Sequence, residues 1–276
     1  MAFKITTLME NTSPKGYLMA EHGLSLLIEG EGYKFLYDTG PSPSFLMNAN
    51  TLGADLNGLD ALVLSHGHYD HTGGACALIA GTYKPKALYV GEGFYRRRYV
   101  RRKDGLQEIG SALEEVTVQQ AKVPQFYVGK EPLALAEGIW LVSQFKSTDP
   151  MERPAPNMIR VVRGEMEQDV FDDEVAVVLD TRDGLVLISG CAHVGVISMC
   201  QQIKERFDRP VTMFLGGTHL KDVKDDRIEY TCRRLQEEGL TSLGACHCSG
   251  ERAGVYFEEH FPGFFRNNVG SCVVLE

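Results

Sequence analysis

The 276-residue chain has no apolar run approaching the roughly 20 residues that span a bilayer. Its opening, Met1-Ala2-Phe3-Lys4-Ile5-Thr6, lacks the long apolar segment of a secretory signal. No membrane partner is expected, and the default location is cytoplasmic. A Gly-x-Ser-x-Gly elbow is absent, and with it the usual setting of a nucleophilic serine. Linkers and low-complexity stretches are absent too, so a single domain over residues 1–276 is expected. Positive charge is scarce: 28 Lys and Arg face 37 Asp and Glu, for a net charge of −9. That balance argues against a bulk binder of nucleic acid or anionic membrane, though not against a local basic patch. Seven cysteines, an odd number scattered from 76 to 272, do not read as a disulfide framework. Cys246 and Cys248 are one residue apart, too close for the common zinc-knuckle spacing.

With 43% hydrophobic and 24% charged residues, the chain has the material for a sizeable core. Strand-like runs come early, at 4–8, 24–29 and 33–38, the last two joined by the turn Gly30-Glu31-Gly32. A helix is expected next, with Ser42 as its cap and Pro43 at its first position. Further strands are read at 59–65 and 87–90, with a helix through 75–80 between them. The second half repeats the alternation. A hairpin at 174–189 precedes a helix at 194–207, a strand at 211–215, a helix at 224–238 and a short strand at 240–245. The class is therefore mixed α/β.

Directly after the apolar run Ala61-Leu62-Val63-Leu64 comes Ser65-His66-Gly67-His68-Tyr69-Asp70-His71-Thr72-Gly73-Gly74. Three histidines and an aspartate fall within six positions. Imidazole and carboxylate are good ligands for borderline divalent metals. A strand exit that presents four such donors reads as a metal-binding loop, against the plainer reading of a His-rich solvated loop. Asp38, His66, Cys191, Gly216 and Cys246 all sit at or just after predicted strand ends. Distant segments can be gathered there at one sheet edge.

These residues resemble the HxHxDH signature of the metallo-β-lactamase-fold superfamily, and Leu36-Tyr37-Asp38-Thr39-Gly40 resembles its first motif. Gly190-Cys191-Ala192-His193, Gly216-Gly217-Thr218-His219-Leu220 and Cys246-His247-Cys248-Ser249-Gly250 are similar to one branch in particular. That branch is named for 7,8-dihydropterin-6-yl-methyl-4-(β-D-ribofuranosyl)aminobenzene-5′-phosphate synthase. The resemblance implies a four-layer αβ/βα sandwich with mixed sheets. It implies two divalent metal ions, with zinc the first candidate and manganese or iron the alternatives. His66 and His68 would hold one ion, Asp70 and His71 the other, with His193 and His247 completing them. Cys191 stands where a bridging aspartate is usual, and either ligates or packs the floor of the site. Where an earlier histidine is usual, this chain has Asp172, Asp173 or Glu174. Asp38 would orient a ligand imidazole. Asp70 would also serve catalysis, and His219 would act on substrate, as an acid or through a ligand. His22 and His260, outside any cluster, read as surface or structural.

The implied chemistry is hydrolysis, or a related lyase or transfer reaction, by a metal-activated water. The substrate expected is a small anion, phosphorylated or pterin-like. A nuclease or phosphodiesterase on the same fold is one alternative. A metal-containing sensor without turnover is another, and an iron redox enzyme a third. The dense basic run Arg96–Lys103 is either a solvated face or an anion-gripping element. On the second reading, a substrate-shaping insertion at about 92–135 carries Arg97 and Arg98, with Tyr95, Phe94 or Tyr99 stacking on a flat ring. Nothing in the sequence sets the oligomeric state.

Overall fold

A computed structural model describes residues 2–276. Two large sheets face each other. The first runs β17 (Cys272–Leu275), β1 (Phe3–Met9), β2 (Ser25–Gly30), β3 (Tyr33–Tyr37), β4 (Ala61–Val63), β5 (Leu88–Gly91) and β8 (Gln125–Val128). The second runs β16 (Ser242–Cys246), β15 (Val211–Gly217), β14 (Gly184–Ser189), β13 (Ala176–Thr181), β10 (Ile139–Val142) and β9 (Leu133–Ala136). Both are mixed. β3, β4, β5 and β8 are parallel, as are β14, β15 and β16, and the remaining neighbours are antiparallel.

Period-two alternation explains the layering, because successive strand residues point to opposite faces. Phe35, Tyr37, Val63, Val177, Ile188 and Leu215 enter the core between the sheets. Their neighbours Leu36, Leu62 and Leu64 turn outward into a second core. There they meet α1 (Ser44–Leu52) and α3 (Ala75–Ala80), which follows the single-turn α2 (Tyr69–Thr72). Val178, Leu187 and Phe214 turn into a third core, beneath α5 (Val196–Phe207), α6 (Asp225–Glu237) and α7 (Gly250–His260). Helix, sheet, sheet and helix make four layers. Strands buried on both faces read as unbroken apolar runs, so they were legible.

The remaining helix is α4 (Glu115–Gln120). A small third sheet runs β12 (Glu165–Gln168), β11 (Met158–Val162), β6 (Arg98–Arg102) and β7 (Gly105–Glu108). It changes the picture of the 92–135 segment. The middle of the basic run, Arg98–Arg102, is a strand and half of a hairpin, and its sheet is completed from 158–168. The end of the same segment, β8 and β9, belongs to the two large sheets. α1 also begins later than expected. Pro43 precedes its first residue, and Ser42 Oγ accepts the Ser44 N–H at 3.1 Å.

Candidate metal centre

The parallel strands end at one edge, where their exit loops meet. Asp38 follows β3, the His66–His71 loop follows β4, Cys191 and His193 follow β14, His219 follows β15 and His247 follows β16. Asp38, Ala192, His219 and His247 hold left-handed backbone, with φ between 51° and 61°. Such strain on non-glycine residues gathers at functional loops.

Three imidazoles converge. His66 Nε2 lies 3.0 Å from His68 Nδ1 and 3.2 Å from His193 Nε2. Ligand nitrogens 2.0–2.1 Å from a tetrahedral zinc are about 3.3 Å apart, so the three could hold a metal ion with these edges. His68 Nε2 and His193 Nδ1, the other nitrogens of those rings, are buried without hydrogen-bond partners. Burial drives all three pKa values down, that of His68 to about 3, which leaves neutral imidazoles with free lone pairs. Phe171 stacks flat on His193 at 3.9 Å between centroids and fixes that ring.

A second group lies beside the first. Asp70 Oδ2 is 3.4 Å from His247 Nε2 and 4.0 Å from His71 Nε2. Cys191 Sγ lies 3.2 Å from His71 Nε2, and its ligand atom clusters with those of His66 and His71. Burial, with Cys248 alongside, raises the Cys191 thiol well above its usual pKa. A thiolate there needs a cation to hold it. Burial would raise the Asp70 carboxyl as well, but neighbouring His71 and His247 outweigh it and keep the group ionised.

Surrounding residues aim these ligands. Asp38 Oδ2 takes His71 Nδ1 at 2.6 Å and Ser65 Oγ at 2.7 Å, which turns His71 Nε2 into the site. Asn11 Oδ1 lies 3.0 Å from His247 Nδ1 and does the same for that ring. Glu10 accepts the His247 N–H. The three acidic residues preceding β13 are otherwise engaged. Asp172 pairs with Arg96 and Arg160, Asp173 with Arg98 and the Gly67 N–H, and Glu174 with the His193 and Val194 N–H groups.

The ligand clusters open into a cavity of about 630 Å³, lined by His68, Asp70, His193 and His219 and walled by Val100, Arg102, Met158 and Lys221. The His219 ring lies 4.4 Å from that of His193. The structure separates the three expected substrate contacts from this cavity. Arg98 is fully buried, bonded to Asp169 and Asp173. Arg97 points to solvent and pairs with Glu108, and Tyr95 Oη bonds Gln125. Phe94 is buried, and Arg97 sits over the Tyr99 ring. Along a strand neighbouring side chains alternate, so only part of the run faces inward: Arg102 and Val100 reach the cavity. Tyr69 is the aromatic ring on its wall. Sequence reading also missed His22 and Asn11. His22 is not a bystander: its Nε2 lies 3.4 Å from Asp70 Oδ2.

The family model of the metallo-beta-lactamase superfamily matches residues 19–197. The chain belongs to this superfamily. A 7,8-dihydropterin-6-methyl-4-(beta-D-ribofuranosyl)-aminobenzene-5'-phosphate synthase of Methanocaldococcus jannaschii is 26% identical, over 98% of this chain and 96% of its own length. An uncharacterized protein of the same organism, MJ0448, is also 26% identical, over 90% and 91%. Among solved structures, Tm1679, described as a metal-dependent hydrolase of the beta-lactamase superfamily, superposes with a TM-score of 0.85 at 29% identity, covering 98% of each chain. A diphosphatase from the PhnP family shares the fold, with a TM-score of 0.59 at 14% identity. The four-layer metallo-β-lactamase architecture, with His, Asp and Cys clusters at its loop edge, supports a metal-binding enzyme. No helix among the described residues is long and apolar enough to cross a membrane.

Proposed function

We propose that this protein is a dinuclear metallohydrolase acting on a small phosphate-bearing substrate. The observation that carries the reading is the pair of ligand groups at the foot of the cavity. His66, His68 and His193 would hold one ion, and Asp70, His71 and His247 the other, with Cys191 at the His71 side. Two such ions, when bound, would supply Lewis acidity and would lower the pKa of a water there from 15.7 towards about 7.

The chain's own residues do the remainder. Asp38 and Asn11 hold His71 and His247 in one tautomer and one orientation. Lys221 and Arg102 line the cavity, and neither forms an ion pair among the described residues. Their charges are free to receive an anionic group entering from solvent. Tyr69 offers a flat face for a planar ring such as a pterin. His219, beside His193, is placed to hydrogen-bond the substrate at the reacting end. The names of the Methanocaldococcus jannaschii synthase and of Tm1679 support phosphate recognition and hydrolysis respectively. Zinc suits the imidazole, carboxylate and thiol donor set, with manganese and iron as alternatives.

Elemental analysis of protein purified without chelator should find about two transition-metal ions per chain, the number set by the two ligand groups. Metal-replete protein holding none would overturn the reading. The anion grip has its own test. Arg102→Ala and Lys221→Ala should each raise KM for a phosphorylated substrate by about tenfold, the equivalent of about 1.4 kcal/mol. KM for an uncharged analogue should hardly change. Equal effects on both substrates would remove these residues from phosphate recognition.

A further inference from the structure

His22 lies far in sequence from every histidine cluster, on the loop between β1 and β2. Its ring nevertheless stands 4.8 Å from that of His247, between centroids. The Nε2 atoms of His22 and His247 each lie 3.4 Å from the same carboxylate oxygen, Asp70 Oδ2. The ligand atoms of His22, Asp70 and His247 all fall within 4.8 Å of one another. An N–O edge of 3.4 Å matches the ligand spacing about a tetrahedral zinc, about 3.3 Å. His247 Nε2 is buried and makes no hydrogen bond, so it faces this group with its lone pair unused.

The loop that carries His22 is fastened to the same residues. Gly23 N–H donates to Asn11 Oδ1 at 3.2 Å, and that same oxygen holds His247 Nδ1. Leu24 N–H donates to the Asp70 carbonyl at 3.3 Å, and Glu21 N–H to the Glu10 carbonyl at 3.2 Å. A side chain at position 23 would collide with the Asp70 carbonyl oxygen and with Pro41. Only glycine lets the loop come this close, and the closeness delivers the His22 ring to Asp70. Asn11 therefore sets two imidazoles at once, one from the N-terminal loop and one from the β16 exit.

We propose that His22 is a ligand of the ion held by Asp70 and His247, a third imidazole at the solvent side of the second metal site. The proposal rests on the dinuclear reading above. It gives the outer ion a donor on a loop that borders the cavity mouth.

The test is a titration of chelator-stripped protein with Co(II), followed by absorption spectroscopy and by competition with a chromophoric chelator. Wild-type protein, His22→Ala and His22→Gln are compared. The glutamine amide nitrogen takes the place of His22 Nε2 and can still donate a hydrogen bond to Asp70, so it keeps that contact while removing the imidazole. Both variants should take the first equivalent with wild-type affinity. Both should bind the second more weakly, by about 100-fold or more, since even residues that only support a ligand are worth 10–100-fold. The ligand-field bands of the second Co(II) should shift in both. Wild-type affinity and spectrum in both variants would overturn the proposal. So would loss in His22→Ala with retention in His22→Gln, which would make His22 a hydrogen-bond donor to Asp70. Wild-type protein that binds a single equivalent would overturn the dinuclear reading and the proposal with it.

Discussion

Asp70→Ala is expected to lower kcat/KM by about 10³-fold or more, a loss of about 4 kcal/mol in transition-state stabilisation. The size follows from the number of partners that share one carboxylate. Oδ2 lies within 4.0 Å of the ring nitrogens of His22, His71 and His247. Without it, three imidazoles face one another with no anion between them, and the proposed second ion loses its negatively charged donor. The fold should persist. Asp70 supports its neighbours through its backbone carbonyl, which receives Leu24 N–H, and alanine keeps that carbonyl. Circular dichroism, and the melting temperature of the metal-free proteins, should therefore match wild type, while bound metal falls from two ions per chain towards one. Unchanged turnover would sink the role. Loss of the folded signal together with activity would make Asp70 a structural residue instead.

How much of this site could be read from the sequence depends on how local each contribution is. Four donors between His66 and His71 lie in one loop, so their density was visible without coordinates. His193 and His247 were legible through the family resemblance, helped by the place of their segments after apolar strands. His22 and Asn11 carry neither signal. Each is a single residue brought to the site by a loop, and only the fold reveals that Asn11 Oδ1 serves both Gly23 and His247. The same division runs through the fold. Val211–Gly217 and Val196–Phe207 bury strong periodic patterns and were found nearly to the residue. Glu165–Gln168 is exposed along its whole length and lacks β-branched residues, so nothing in it announces a strand. It becomes one because β11 offers it a pairing edge. The arginine run misled for a related reason. A cluster of charge reads as a solvated surface or a ligand grip. The third possibility, one arginine buried against carboxylates 71 and 75 residues away, leaves no local trace.

That buried arginine carries the second large effect. Arg98→Met is expected to destabilise the protein by about 3–5 kcal/mol, the usual cost of removing one partner from a buried ion pair. Arg98 is fully buried, with Nε 2.9 Å from Asp169 Oδ2 and Nη2 2.7 Å from Asp173 Oδ1. It also donates to the Phe94 and Arg96 carbonyls. Both carboxylates are themselves buried, so its removal strands two negative charges in the interior. At about 2–4 °C per kcal/mol for a chain of this size, the melting temperature should fall by about 10 °C. The metal loop should feel the change as well. Asp173 Oδ2 accepts the Gly67 N–H at 2.9 Å, between His66 and His68, and a side chain at Gly67 would run into the Arg98 guanidinium. The arginine thus braces the turn that carries His66 and His68, the proposed ligands of the first ion, and metal affinity should drop along with stability. Arg97→Ala is the control from the next position. Its side chain is exposed and its pair with Glu108 lies in solvent, where such pairs contribute little. It should leave both the melting temperature and the metal content unchanged. Adding Asp169→Asn to Arg98→Met should recover part of the lost stability, because one of the stranded charges is gone. A melting temperature for Arg98→Met within a degree or so of wild type would contradict the buried strut, as would an Arg97→Ala protein as unstable as its neighbour.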